Sequence, residues 1–121
     1  GTVAEVGGLP SGAVVERGTN ANGSYTRFAD GTQICGFRVI VTPVANAVTN
    51  TAFSFPAAFT YSGGSATDEV FVTAFPVTSV PETTVGQSGF TLSGGIGGTL
   101  NTFRTNGTTT HYSCLAFGRW F

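Results

Sequence analysis

The sequence predicts an all-β domain of the sandwich or barrel kind, and three observations carry that prediction. Thr, Gly and Phe supply 20, 18 and 11 of the 121 residues. Thr, Val and Phe favour strands, while Gly, Asn and Pro punctuate them. Turn signals recur at roughly 8–12-residue spacing, as short strands of a sandwich or barrel require. No stretch long enough for a helix keeps a helical period, because Gly or Pro interrupts each one.

The elements follow in chain order. Residues 1–12, GTVAEVGGLPSG, are small and glycine-rich and read as a linker or arm leading into a domain over 13–121. AVVER at 13–17 is a short strand, GTNANG at 18–23 a loop and SYTRFA at 24–29 a strand. Asp30-Gly31 is the strongest short hairpin signal in the chain, and TQICGFRVIVT at 32–42 is its return strand. Phe37, Val39 and Val41 share one face of that strand; Arg38 and Ile40 share the other.

TAFSFPAAFTY at 51–61 places Phe53, Phe55, Phe59 and Tyr61 on one parity. Pro56 removes a ladder donor, so this strand bends there or lies at an edge. SGGSATD at 62–68 is a loop, and EVFVTAFPVTSV at 69–80 a strand with Phe71 and Phe75 facing inward. SGFTLS at 88–93 and TLNTFRT at 99–105 flank GGIGG, a flexible hairpin connection; Asn106-Gly107 is another tight turn. The last strand, over about 109–121, carries Tyr112, Cys114, Ala116 and Trp120 on one parity and Leu115, Phe117 and Phe121 on the other. A strand apolar on both sides must be covered on both faces. In a thin two-layer domain a neighbouring subunit is the simplest cover, so a homo-oligomer is expected.

Length and charge bound the function. One domain is expected from 121 residues. Charged residues make up 9%, against about 25% in typical soluble proteins. Low-charge, threonine-rich β surfaces suit proteins outside cells or in large rigid assemblies. Five arginines, no lysine and no basic cluster leave nothing to neutralise a row of phosphates, so nucleic-acid binding is not expected. No apolar run approaches the ~20 residues of a spanning helix, and no secretory signal pattern opens the chain. The chain opens on Gly1, which fits a piece of something longer. Cys35 and Cys114 are either a bridge, stabilising by roughly 4 kcal/mol in the chain-entropy account, or two buried thiols.

Reactive chemistry finds little support. His111 is the single histidine, and no GxSxG nucleophile elbow accompanies it. The acids are Glu5, Glu16, Asp30, Asp68, Glu69 and Glu82; none is signalled as a facing pair of the kind glycoside hydrolysis needs. Asp30 is best explained as a turn residue. Asp68 and Glu69 beside Gly63-Gly64 lack calcium-loop spacing, and no other metal or cofactor pattern occurs. The glycine runs do not join a strand to a helix, so they are no phosphate cradle. Asn22 and Asn106 match a glycosylation pattern but read more economically as turns. What remains is an aromatic and hydrogen-bonding surface of the type that recognises sugars. Tyr61, Arg104, His111, Tyr112, Arg119 and Trp120 are the candidate residues for it. Trp120 reads first as core or interface, and Arg119 as either a structural partner of a carboxylate or a ligand contact.

Three ordered blocks carry a resemblance. GLPSGAVVERGTNANGSYTRFADGTQIC at 8–35, FSFPAAF at 53–59 and SCLAFGRWF at 113–121 resemble the C-terminal domains of bacteriophage, prophage and gene-transfer-agent tail-fibre proteins. One departure is Gly36-Phe37, where that pattern has tryptophan directly after the cysteine. The resemblance implies an H-type lectin-like fold: a small antiparallel β-sandwich that trimerises at a fibre tip. It implies a non-enzymatic virion component that joins other tail or spike proteins and attaches to host-surface saccharide, with no membrane insertion. It carries over no sugar site. The blocks are turn, core and chain-end elements, so recognition falls to loops 43–50, 62–68, 79–88 and 93–98. The alternatives are a virion decoration or trimerisation module without ligand, and a surface-polysaccharide depolymerase.

Overall fold

The structure, a computed structural model, describes residues 3–6, 9–12, 15–62, 69–77, 87–105 and 107–121. Expectations at Ala13, Val14, Asp68, Glu82 and Asn106, and those at 63–68 and 78–86, lie outside the described residues.

The described elements are β1 (Val3–Val6), β2 (Leu9–Gly12), β3 (Val15–Asn20), β4 (Gly23–Phe28), β5 (Thr32–Val41), β6 (Ala47–Ser54), β7 (Phe71–Val77), β8 (Gln87–Leu92), β9 (Gly97–Arg104) and β10 (Thr110–Arg119). Two sheets form the sandwich: β3-β4-β5-β10-β7 and β6-β9-β8, with every pairing antiparallel. Within the segment expected as a linker or arm, β1 and β2 pair as a hairpin that forms its own two-stranded sheet.

The hairpin over 22–36 is present. Ala29-Asp30-Gly31 joins β4 to β5, with Gly31 at φ 99° and its N–H donating to Phe28 O at 3.1 Å. The Asp30 carboxylate caps the turn by accepting from Thr32 N at 2.9 Å. The loop expected at 18–23 shrinks to a two-residue turn. Gly18 and Asn20 belong to β3, opposite Tyr25 and Gly23 of β4. The Tyr25 ring lies across Gly18, so a Cβ there would make the ring shift.

Parity within β5 and β10 sets the core. Phe37, Val39 and Val41 point inward beside Tyr112, Cys114 and Ala116, while Arg38 and Ile40 face out. Leu100 meets them from the second sheet, and Phe55, Phe59 and Val70 close the core from the connection between β6 and β7. Phe37, Phe53, Phe55, Phe59 and Phe90 pack as stacked and edge-on pairs, with ring centroids 5.0–5.7 Å apart. Such pairs add roughly 0.5–1.5 kcal/mol each beyond area burial. The strand expected over 51–61 is shorter and starts earlier: β6 is an edge strand that ends at Ser54, so Pro56 lies outside it in the connection to β7.

Cys35 and Cys114 are free and buried. Cys35 lies opposite Ala116 and Cys114 opposite Phe37, so the two thiols are diagonal rather than facing. Burial pushes both thiols up to about 11, so they stay protonated and unreactive at neutral pH.

One inward assignment reverses. Phe71 and Phe75 are 60% and 68% exposed. Register with β10 places Phe71 opposite Phe117, Thr73 opposite Leu115 and Phe75 opposite Ser113, all on the outer face. The inward positions of β7 are Val72 and Ala74, opposite Ala116 and Cys114. Both parities of β7 are apolar, so hydrophobicity could not choose between them. Small side chains fit the core beside Cys114 and Ala116, and the phenylalanines were left outside.

Candidate functional site

The site is assembled where the end of β10 meets the Asp30-Gly31 turn. Trp120 N donates to Gly31 O at 2.9 Å, which locks the chain end to that turn. Thr60 pairs with Arg119 as an isolated bridge, its N–H reaching Arg119 O at 2.8 Å. These bonds bring Tyr61 and Arg119 to one surface although 58 residues separate them.

Arg119 lies across the turn. Its Nη2 donates to Asp30 O at 3.0 Å and its Nε to Phe121 O at 3.1 Å. The guanidinium carbon sits 5.7 Å from the Phe121 ring centroid, close enough for a cation–π contact. A Cβ at position 31 would overlap this guanidinium, so glycine serves both the left-handed turn and the path of Arg119. The Thr32 backbone hydrogen bond, then the Thr32 side chain, hold the Asp30 carboxyl below its usual range; the Arg119 charge adds to this.

Thr60, Tyr61, Ser62 and Glu69 join Arg119 and Phe121 around a shallow concavity of about 270 Å³. Ser62 donates from its backbone N to Glu69 Oε2 at 2.8 Å and from its hydroxyl to Oε1 at 3.3 Å. Both carboxylate oxygens are thereby oriented. Tyr61 is 41% exposed, and Phe121 is half-buried. One exposed surface therefore carries a fixed guanidinium, an oriented carboxylate, two hydroxyl side chains and two rings. That combination can bind a polyol by hydrogen bonds and stack on its C–H face.

The six candidate residues are not brought together. Tyr61 and Arg119 share the concavity. Trp120 stands behind it: its ring meets Phe121 at 4.5 Å, its Nε1 donates to Phe28 O at 2.7 Å, and the Arg27 guanidinium covers it at 5.5 Å. Arg104 and Tyr112 are buried within the chain, at the end of β9 and on the inner face of β10. His111 lies on the outer sheet face between Ile40 and Val77, eight strand residues from Arg119, or roughly 26 Å along β10. Sequence reasoning missed Thr60, Glu69 and Phe121 as members, and reached Ser62 only as the first residue of the loop expected at 62–68. Only a fold that returns residue 60 to residue 119 unites them.

Among the described residues no three His, Cys, Asp or Glu side chains gather as metal ligands. A larger hollow of about 540 Å³ lies between β7 and β8. Its side chains are Phe71, Phe75, Phe90, Leu92 and other apolar groups with Thr73, so it lacks a convergent polar set. The loop expected at 93–98 ends at Ile96, because Gly97 and Gly98 belong to β9, and it is held in place: Phe55 N and Phe59 N donate to Ile96 O and Gly95 O, each at 2.8 Å.

No known protein family matches the chain by sequence, and no curated protein does so either. Its fold is similar to solved pyocin fibres. A C-terminal portion of the R2 pyocin fibre of P. aeruginosa aligns with TM-score 0.64 and 18% identity, over 90% of this chain and 27% of that one. An N-truncated R2-type pyocin tail fibre aligns with TM-score 0.58 and 18% identity, over 90% and 39%. An N-truncated R1-type pyocin tail fibre gives 0.57 and 14%, over 89% of this chain and 88% of that one. This chain thus spans about a quarter to two fifths of the R2 fibres it matches.

Proposed function

We propose that this chain is a tip domain of a phage-type tail fibre, a homotrimeric, H-type lectin-like module that holds host-surface saccharide in the Arg119–Tyr61 concavity. The observation that carries the reading is the joining of an exposed ring, a fixed guanidinium and an oriented carboxylate in one open hollow. The likeness in fold to pyocin fibres supports the tail-fibre setting. Residues 13–121 form the tip, and 1–12 the arm toward the rest of the fibre and its tail partners. The module works at the virion surface as a binder and not as an enzyme. Three weak sites on one rigid tip gain avidity through effective concentration.

The test is adsorption of the purified domain to host cells and to arrayed glycans. Tyr61→Ala and Arg119→Ala should each weaken binding at least about tenfold, the scale of a lost stacking contact or charged hydrogen bond. Arg119→Lys separates roles: it keeps the charge but loses the forked geometry that spans the turn. Unchanged adsorption by a folded Tyr61→Ala, Arg119→Lys double variant would remove the site.

A second reading, a virion decoration or trimerisation module without ligand, is favoured by one feature. Ile40, Phe71, Phe75, Val77, Leu115 and Phe117 lie exposed on the outer face of one sheet. Deleting the domain distinguishes the two. Loss of particle assembly supports the structural role, and intact particles that fail to adsorb support the receptor role.

A further inference from the structure

We infer that the free edge of β6 receives an extended, uncharged peptide segment of a partner protein as an added strand. The inference is independent of the saccharide reading, because this edge and its groove share no residue with the Arg119–Tyr61 concavity. Among the described residues β6 has β9 on one side and no strand on the other. Phe55 N donates to Ile96 O, so the ladder turns the odd-numbered residues here toward β9. In antiparallel pairing that direction alternates along the strand. Val48, Asn50, Ala52 and Ser54 therefore aim their N–H and C=O groups away from β9, and all four residues are exposed. A groove of about 240 Å³ lies beside this edge, between β5, β6 and the β3–β4 turn. It exists because β4 stops short. Its pairing with β5 ends at Ser24 opposite Gly36, so no strand flanks Phe37 and Val39 on that side.

Edge strands are normally protected by charge, proline, bulges or short length. The other edges of the sandwich show such protection. β3 carries Glu16 and Arg17, β7 carries Pro76, and β8 is six residues long with the strand-weakening Gly89 inside it. β6 has none of these devices. It runs eight residues from Ala47 to Ser54, pairs residue for residue with β9, and lies in a stretch, 39–67, without a charged residue. Main-chain hydrogen bonds along an open edge give an added peptide strand its affinity, and neighbouring side-chain pockets give it specificity.

The groove sets the chemistry of the occupant. Phe37, Val39, Ala52 and Phe53 line it with Asn22 and Thr51. Arg38 borders it but directs Nη2 to Ser113 Oγ at 3.5 Å on the outer sheet face. A charged side chain laid in the groove would lose water and gain no counter-charge. The occupant is therefore neutral, with small apolar side chains facing in. It belongs to a partner protein and not to a second copy. A second copy offers the charged β3, the proline-bearing β7, the short β8 or β6 itself. Pairing β6 with β6 is a two-fold contact, which the proposed three-fold tip does not use.

The experiment titrates the full chain with three capped eight-residue peptides and follows backbone amide exchange. One alternates valine and serine, one is the same peptide N-methylated at alternate residues, and one alternates glutamate and lysine. The neutral peptide should bind and slow exchange at Val48, Asn50, Ala52 and Ser54, leaving Thr49, Thr51 and Phe53 unchanged. N-methylation, which removes ladder donors, and the glutamate–lysine pattern should each weaken binding at least about tenfold. Ala52→Lys guards the edge and should weaken the neutral peptide to the same degree, whereas the neutral Ala52→Ser should keep binding. No binding by the neutral peptide overturns the proposal. Binding without slowed exchange at those four amides, or equal binding by a folded Ala52→Lys, removes strand addition at β6. Equal binding by the glutamate–lysine peptide overturns the charge class. A doubling of the free chain's mass that Ala52→Lys abolishes would assign the edge to a second copy and overturn the partner.

Discussion

Gln33 shows how one buried polar side chain organises this end of the sandwich. It is fully buried on the inner face of β5, where the strand otherwise carries Cys35, Phe37, Val39 and Val41. Its amide nitrogen donates to Ala57 O at 3.2 Å and Ala58 O at 3.0 Å, and its oxygen accepts from Arg27 Nε at 2.8 Å. The segment after Pro56 has left the β ladder, so its carbonyls need another partner, and Gln33 provides it. Gln33→Leu keeps the volume but strands those groups in the interior. The expected cost is about 2–4 kcal/mol, read as a lower denaturant midpoint with an unchanged slope. In the sequence Gln33 reads as one more polar strand residue. Its carbonyl partners, Ala57 and Ala58, lie more than twenty positions away, where no local pattern points.

At the scale of elements, the glycines of the β8–β9 hairpin act through what they exclude. The sequence suggests flexibility in GGIGG, but the turn is pressed against neighbouring backbone. A Cβ on Gly95 would overlap Phe59 O, one on Gly97 would overlap Phe53 O, and one on Gly98 would overlap Thr91 O. Close approach is what allows the Ile96 and Gly95 carbonyls to accept from Phe55 and Phe59. Gly95→Ala should therefore lose about 1–3 kcal/mol, the scale of core overpacking, measured by thermal or urea unfolding. Gly89→Ala is the matched control. Its Cβ would meet open space, so only a small change is expected. The hairpin itself was legible from its glycines, but the surface they pack on was not.

At the scale of the whole molecule, the outer face of the five-stranded sheet is apolar where solvent would demand polar groups. Rows across β5, β10 and β7 read Ile40–His111–Val77, Arg38–Ser113–Phe75, Gly36–Leu115–Thr73 and Ile34–Phe117–Phe71. Phe71 and Phe117 stack at 6.0 Å, and Leu115 stays 44% exposed. A patch of this kind marks an interaction surface. With the proposed trimer, Phe75→Ser and Phe117→Ser together should shift the species in light scattering from three copies to one while the single-chain fold survives. An unshifted mass would place the subunit contacts elsewhere, and a wild-type monomer would remove the trimer.

While the structure chose which side of β10 faces the core, the sequence by itself determined the all-β class, the β4–β5 hairpin, the shared face of Phe37, Val39 and Val41 in β5 and the doubly apolar last strand. Each of these follows from local rules: side-chain alternation with period two, turn residues that tolerate positive φ, and the absence of helical spacing. Tertiary structure alone decided the fate of Phe71 and Phe75, because β7 is apolar on both parities and its register with β10 chose the outer one. It also decided the site. Tyr61, Glu69 and Arg119 meet only because Thr60 bridges to the end of β10 and the Gly31 turn leaves room for a guanidinium. Hydrogen bonds between distant backbone groups write that proximity, and they leave no trace in the order of the side chains.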